Sequence, residues 1–158
     1  SKYFEDLEPS FEFYADLGLN LPRAYTLCSW KDNEEHFDLC ISAVKNGLTS
    51  TYLKSLPKQL RINSFESTFT IPEKPLIMIA NGSGIAHSKY SVVYGDARTI
   101  EKVPLRLYYG IQNEDTDFYF RSDFEQYEKE GIIEIKLAQS RKDPNKKVYV
   151  QELVEADK

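Results

Sequence analysis

Pro75-Leu76-Ile77-Met78-Ile79-Ala80-Asn81-Gly82-Ser83-Gly84-Ile85-Ala86 decides the fold of this chain. Its first half is an uninterrupted apolar run after a proline, the pattern of a short, fully apolar strand. Its second half is a glycine turn, and helical character follows from about Ile85 to Thr99. Strand, glycine turn and helix in that order open a parallel α/β unit. The downstream residues keep the alternation. Leu105 to Tyr109 reads as a second strand. Phe118 to Glu130 reads as one amphipathic helix with Phe120, Phe124 and Tyr127 at helical spacing, stopped by Gly131. Ile132 to Ala138 is a third strand, and Tyr149 to Ala156 is helical again. Such alternation implies right-handed crossovers and a parallel sheet.

Upstream the character differs. Residues 1–20 read as a helical or irregular lead-in, with Phe11, Tyr14 and Leu17 on one helix face. Arg23 to Trp30 reads as a strand, and His36 to Val44 as a second, with Phe37, Leu39, Ile41 and Ala43 on one side. Asn46-Gly47 punctuates the chain, Thr51 to Leu56 suits a short helix, and Gln59 to Ile71 is further strand. Pro72 to Pro75 is a linker. The expected organisation is therefore a β-rich portion, 1–72, followed by an α/β portion, 73–158.

Composition narrows the class. The 158 residues suit one domain or two small ones, and 41% hydrophobic with 28% charged residues is ordinary for a globular protein. No apolar run reaches the roughly twenty residues of a membrane span, so no transmembrane segment is expected. The acidic, aromatic start fits neither a signal nor a transit peptide. It also lacks Met, which fits a processed chain or one cut from something longer. A net charge of −5 argues against nucleic acid as partner. It is compatible with an anionic cofactor, which needs only local positive groups. Cys28 and Cys40 are too few for a disulfide framework or a zinc site. They read as reduced core thiols in a cytoplasmic or organelle-internal reducing compartment.

Four polar motifs carry chemistry. In Arg23-Ala24-Tyr25-Thr26, a strand sends Arg23 and Tyr25 to the same face. Arginine offers planar donors for phosphate oxygens, tyrosine a stacking face, and Thr26 a hydroxyl. In Gly47-Leu48-Thr49-Ser50-Thr51, Gly47 admits a close backbone approach, and Thr49 and Ser50 add hydroxyls at a helix start. A plain capped helix start would read the same way. Gly82, Ser83 and Gly84 follow a strand and precede a helix, the setting in which a glycine turn admits a pyrophosphate. Ser140-Arg141 and Lys147-Val148-Tyr149-Val150-Gln151 flank a polar loop. Their cations and hydroxyl suit a phosphate dianion, and Tyr149 offers a ring for a base. His87 and His36 read as polar residues of a helix start and a charged turn.

In order and spacing, these motifs resemble the flavin- and nucleotide-binding module of the ferredoxin–NADP reductase family, in its diflavin branch. The resemblance runs from about Leu21 to Val154. It implies a partial antiparallel flavin-binding β-barrel followed by a partial Rossmann-like NADP-binding sheet. It implies FAD held by Arg23, Tyr25, Thr26, Gly47, Thr49 and Ser50. It places the NADPH pyrophosphate at Gly82, Ser83 and Gly84, and the 2′-phosphate at Ser140, Arg141, Lys147 and Tyr149. The implied activity is hydride transfer from NADPH to FAD, with electrons passed to a partner domain or protein bearing FMN, an iron–sulfur or a haem centre. The chain departs from the pattern in places. Thr26 replaces a serine, and Ala80 stands for the first glycine of the turn. His87-Ser88 stands where the family has Pro-Phe, and Gly110-Ile111-Gln112 where it has Gly-Cys-Arg. Barrel strands before Arg23 and the family's last third are missing from this reading. Two functions follow: a portion of a larger reductase, or a degenerate relative that keeps the fold as a structural or interaction subunit.

Overall fold

The computed structural model describes residues 11–16, 24–30, 37–55, 61–66, 75–94 and 105–157. The chain forms two compact units, Ser1–Thr70 and Ile71–Lys158.

The first unit holds a four-stranded antiparallel sheet. Its strands are β1 (Phe11–Asp16), β2 (Ala24–Trp30), β3 (Phe37–Leu39) and β4 (Arg61–Glu66), in the order β3-β2-β1-β4. β1 corrects the sequence reading, which gave that stretch a helical or irregular lead-in and no strand ahead of Arg23. Phe11-Glu12-Phe13-Tyr14 has the aromatic bias of a strand, and pairing on both sides with β2 and β4 outweighs a helical spacing of three apolar residues. Leu17 lies outside the described residues. Of the expected strand from His36 to Val44, Phe37–Leu39 is strand and 40–44 is not, while His36 lies outside the described residues. The register of β2 against β3 shifts between Leu27 and Ser29, and this irregularity allows two successive residues, Leu27 and Cys28, both to be buried. The Cys28 thiol donates to the Asp38 carbonyl at 3.1 Å. The helix α1 (Leu48–Lys54) starts three residues ahead of the reading.

The second unit is a three-stranded parallel sheet in the order β5-β6-β7, formed by Leu76–Asn81, Leu105–Ile111 and Ile133–Gln139. β6 is central, and Leu105, Leu107, Tyr108, Tyr109 and Ile111 are all buried, as a strand covered on both faces requires. On one face Met78, Ala80, Leu107, Tyr109 and Ile133 pack with Ile85 and Val92 of α2 (Ile85–Tyr94) and Phe124 of α4 (Arg121–Lys129). On the other, Tyr108 and Ala138 pack with Val150 of α5 (Val150–Ala156). Asp157 closes this face. Its carboxylate accepts from the Tyr108 hydroxyl at 2.6 Å and from the Lys136 ammonium at 2.5 Å.

The expected helix from Phe118 to Glu130 is broken. A one-turn helix α3 (Glu114–Asp117) precedes it, and Phe120 takes a left-handed backbone with φ 57° immediately before α4. That conformation costs a non-glycine residue about 1–2 kcal/mol. It lets Phe118, Tyr119 and Phe120 all reach the core, and the Phe118 ring meets Tyr109 edge-on at 5.6 Å. Core contact therefore wins over helical continuity. Gly131, with φ 73°, ends the helical segment as glycine does.

Candidate functional site

The parallel register sets Asn81 beside Gly110 and Gly110 beside Ala138, so the three strands end level and release the chain at one edge. Ligands of open α/β sheets bind at this carboxyl edge. Gly82 leaves β5 with φ 52°, a left-handed geometry that favours glycine. A Cβ at Gly82 or Gly84 would meet nothing within 4 Å, so the space over the turn is open to an incoming group. The turn is pinned from below, where the buried Tyr109 hydroxyl lies 3.0 Å from the Gly82 carbonyl and donates to it. Ser83 stands half-buried between the glycines. Gly110 serves differently: a Cβ there would collide with Asn81 Oδ1 and lie 2.8 Å from Val150 Cγ2.

The exit from β7 is held by its neighbour. Ser140 donates its amide to the Ile111 carbonyl at 3.0 Å, and Arg141 its amide to Gln112 at 2.8 Å. The Ser140 hydroxyl also faces the Ile111 carbonyl, at 3.3 Å. The loop then doubles back through a bridge between Asp143 and Lys146, and the Val148 amide returns to the Gln139 carbonyl. Gly82, Ser83, Gly84, Ser140, Arg141, Lys147 and Tyr149 are thus carried by segments that leave or return to this one edge. Arg141, Lys147 and Tyr149 are exposed. Neither cation forms an ion pair among the described residues.

In the first unit, Tyr25 and Thr26 lie on β2 opposite Phe13 and Glu12. Both are half-buried, and as neighbours in a strand they face opposite sides of the sheet. Arg23 lies outside the described residues. Gly47 precedes α1 with φ −72°, so it is not there for a left-handed turn; Asn46 supplies that, with φ 62°. A Cβ at Gly47 would crowd Ser50 Oγ at 2.8 Å and Val44 at 3.1 Å. Ser50 Oγ accepts from the Val44 amide at 3.1 Å, so this hydroxyl already closes the local loop. Thr49 is half-buried beside it.

Several residues at the carboxyl edge escaped sequence reasoning. Glu114 is the main one: its two oxygens accept from Lys142 Nζ at 2.8 Å and Gln139 Nε2 at 2.9 Å. The Lys142 hydrogen bond, with its charge, holds the Glu114 carboxyl below the usual carboxylate range. The available signal was Asn113, whose side chain caps α3 by accepting from the Asp115 amide. His87 is half-buried on α2, and burial lowers its imidazole below the ordinary histidine value. A cleft of about 440 Å³ lies at the opposite, amino edge of the sheet, lined by Pro75, Leu105, Ile132 and Glu134 among others. Arg106 lines it too, but its guanidinium is paired with Glu134 at 2.6 Å and Asp157 at 3.6 Å, unlike Arg141 and Lys147 at the carboxyl edge.

No protein-family model matches the chain. It is similar to the NADPH-dependent diflavin oxidoreductase 1 of Cryptococcus neoformans var. neoformans serotype D, 28% identical across 82% of this chain and 23% of that protein. It is 32% identical to the NADPH–cytochrome P450 reductase of Drosophila melanogaster, across 72% of this chain and 18% of that protein. Among solved structures, a point variant of ferredoxin-NADP+ reductase from Plasmodium falciparum in complex with 2'P-AMP matches with a TM-score of 0.76 at 22% identity, covering 98% of this chain and 67% of that one. The chain spans less than a quarter of those two curated relatives. Sequence kinship and fold agree, and the chain is a relative of the ferredoxin–NADP reductase family in its diflavin branch.

Proposed function

We propose that this relative of the diflavin reductases is the FAD- and NADPH-binding portion of a flavoprotein reductase. The carrying observation is the carboxyl edge of the parallel sheet. There an open glycine turn and two cations without ion pairs among the described residues are presented by segments that leave the strands level with one another.

The residues fit a 2′-phosphorylated dinucleotide. Gly82, Ser83 and Gly84 offer open backbone to a pyrophosphate ahead of the ten-residue helix α2, whose first amides favour an anion. Ser140, Arg141 and Lys147 bind the 2′-phosphate through charge-assisted hydrogen bonds, and the exposed ring of Tyr149 stacks on the base. In the other unit Arg23, Tyr25, Thr26, Gly47, Thr49 and Ser50 hold FAD. Tyr25 supplies the stacking face. Thr49 supplies the hydroxyl, and Ser50 acts mainly by shaping the loop beside it. On this reading residues 1–72 are the flavin portion and 73–158 the nucleotide portion. When bound, NADPH supplies the hydride and FAD accepts it and hands on single electrons. The protein's part is position and electrostatics. The electrons pass to a partner domain or protein with an FMN, iron–sulfur or haem centre, in a reducing compartment where Cys28 and Cys40 stay thiols. Among the described residues no helix is long and apolar enough to cross a membrane.

A second reading has its own support. Gln112, exposed at the end of β6, stands where the family carries an arginine, and Ala80 where it carries the first glycine. A degenerate, non-catalytic subunit would look like this. Reconstitution with FAD separates the two. A catalytic portion takes up flavin, shows its absorbance bands and bleaches when NADPH is added. A preparation that stays colourless after incubation with FAD supports the non-catalytic subunit.

A further inference from the structure

Ser140-Arg141 is bracketed by Gln139 and Lys142, and both brackets are gripped by one side chain. Glu114 Oε2 accepts from Gln139 Nε2 at 2.9 Å, and Glu114 Oε1 accepts from Lys142 Nζ at 2.8 Å. The grip is reciprocal, because the Glu114 amide donates to Gln139 Oε1 at 3.1 Å. The Glu114 side chain is 26% exposed, and the Gln139 bonds are partly buried. The clasp is therefore more than a surface ion pair, whose worth is often nil. It joins the start of α3 to the end of β7. The dipeptide between the brackets is tied to β6 by its own amides, which bond Ile111 and Gln112.

A carboxylate at this place is a puzzle for an anion site. By charge alone Glu114 repels a phosphate and draws off one of the loop's cations. Arg141 and Lys147 remain without ion pairs among the described residues. The carboxylate makes sense if holding the loop matters more than its charge. A loop that is already ordered loses less freedom when its ligand arrives.

We propose that Glu114 is a positioning residue for 2′-phosphate recognition: it touches no nucleotide, and by clasping Gln139 and Lys142 it sets the geometry in which Ser140 and Arg141 meet the phosphate. The inference rests on the nucleotide reading above, and the test keeps the two apart.

The test titrates the intact protein with 2′-phospho-AMP and, in parallel, with 5′-AMP. Arg141→Ala tests the reading, and Glu114→Ala and Gln139→Ala test the clasp. Gln139→Ala is the sharper variant because it breaks half the clasp without changing net charge. The expected result is that Arg141→Ala loses preference for 2′-phospho-AMP. Each clasp variant then weakens 2′-phospho-AMP by about threefold or more, leaves 5′-AMP unchanged, and keeps the wild-type melting temperature. If Arg141→Ala loses the preference while Gln139→Ala binds as wild type, the reading stands and the clasp has no positioning role. Tighter 2′-phospho-AMP binding in Glu114→Ala would also overturn the proposal, because charge would then outweigh geometry. If Arg141→Ala keeps the preference, the nucleotide reading fails and the inference falls with it. Should Glu114→Ala not fold, Gln139→Ala decides alone.

Discussion

On the proposed nucleotide reading, Arg141 is the residue on which cofactor choice turns. It is exposed, its backbone is fixed by the Gln112 carbonyl, and its charge is unspent among the described residues. A charge-assisted hydrogen bond to a phosphate contributes about 1.5–3 kcal/mol. Arg141→Ala should therefore weaken NADPH binding roughly ten- to hundredfold, with NADH nearly unaffected. Equilibrium titration with both nucleotides checks this, and equal losses would remove the 2′-phosphate assignment. Gly110 makes a different point at the same scale. Its backbone is not left-handed, so its value is the missing side chain. Gly110→Ala drives a methyl into Asn81 and Val150, an overpacking that costs about 1–3 kcal/mol. Denaturant unfolding should show a lower midpoint with an unchanged slope.

Among the elements, α5 has an attachment that depends on pH. Asp157 follows it directly and anchors it to the sheet. Its carboxyl is held below the usual carboxylate range, first by the Lys136 hydrogen bond and then by that of Tyr108. Because folding lowers this value, the unfolded chain binds the proton more readily. The contribution is fully present above the ordinary aspartate value of about 3.9 and is lost as pH falls through the lower folded value. Amide exchange across Val150–Ala156 should accelerate in that window. In Asp157→Asn the acceleration should be missing, with protection already reduced at neutral pH. The elements also show what was readable beforehand. β5, β6 and β7 announced themselves by strand-length apolar or alternating runs between turn signals, although only β6 is central and buried on both faces. β1 did not, since six residues with aromatics at mixed spacing suit a helix or a strand until partners exist. Phe120 was misread because the sequence pattern cannot register a single left-handed residue inside a helical spacing. At the site, the glycine turn and the basic loop were visible as residue types. The Glu114 clasp was not, because it joins residues that only the β6–β7 pairing brings together.

For the whole molecule, the candidate flavin residues and the candidate nucleotide residues belong to separate compact units. No residue serves both sets. On the proposed reading each set is tested within its own unit. Tyr25→Ala should weaken FAD uptake, read by flavin titration, and Arg141→Ala should weaken 2′-phospho-AMP binding, read by nucleotide titration.

β5 carries one further property. Ile77 and Ile79 alternate with the buried Met78 and Ala80, and they are 63% and 59% exposed on a strand at the border of its sheet. Bare, branched, greasy surface on a strand whose outer edge has no partner among the described residues invites neighbouring molecules to stick. At high concentration the purified chain should therefore precipitate or associate. Ile79→Lys should keep it clear in light scattering without lowering its melting temperature, since that side chain contributes little to the interior.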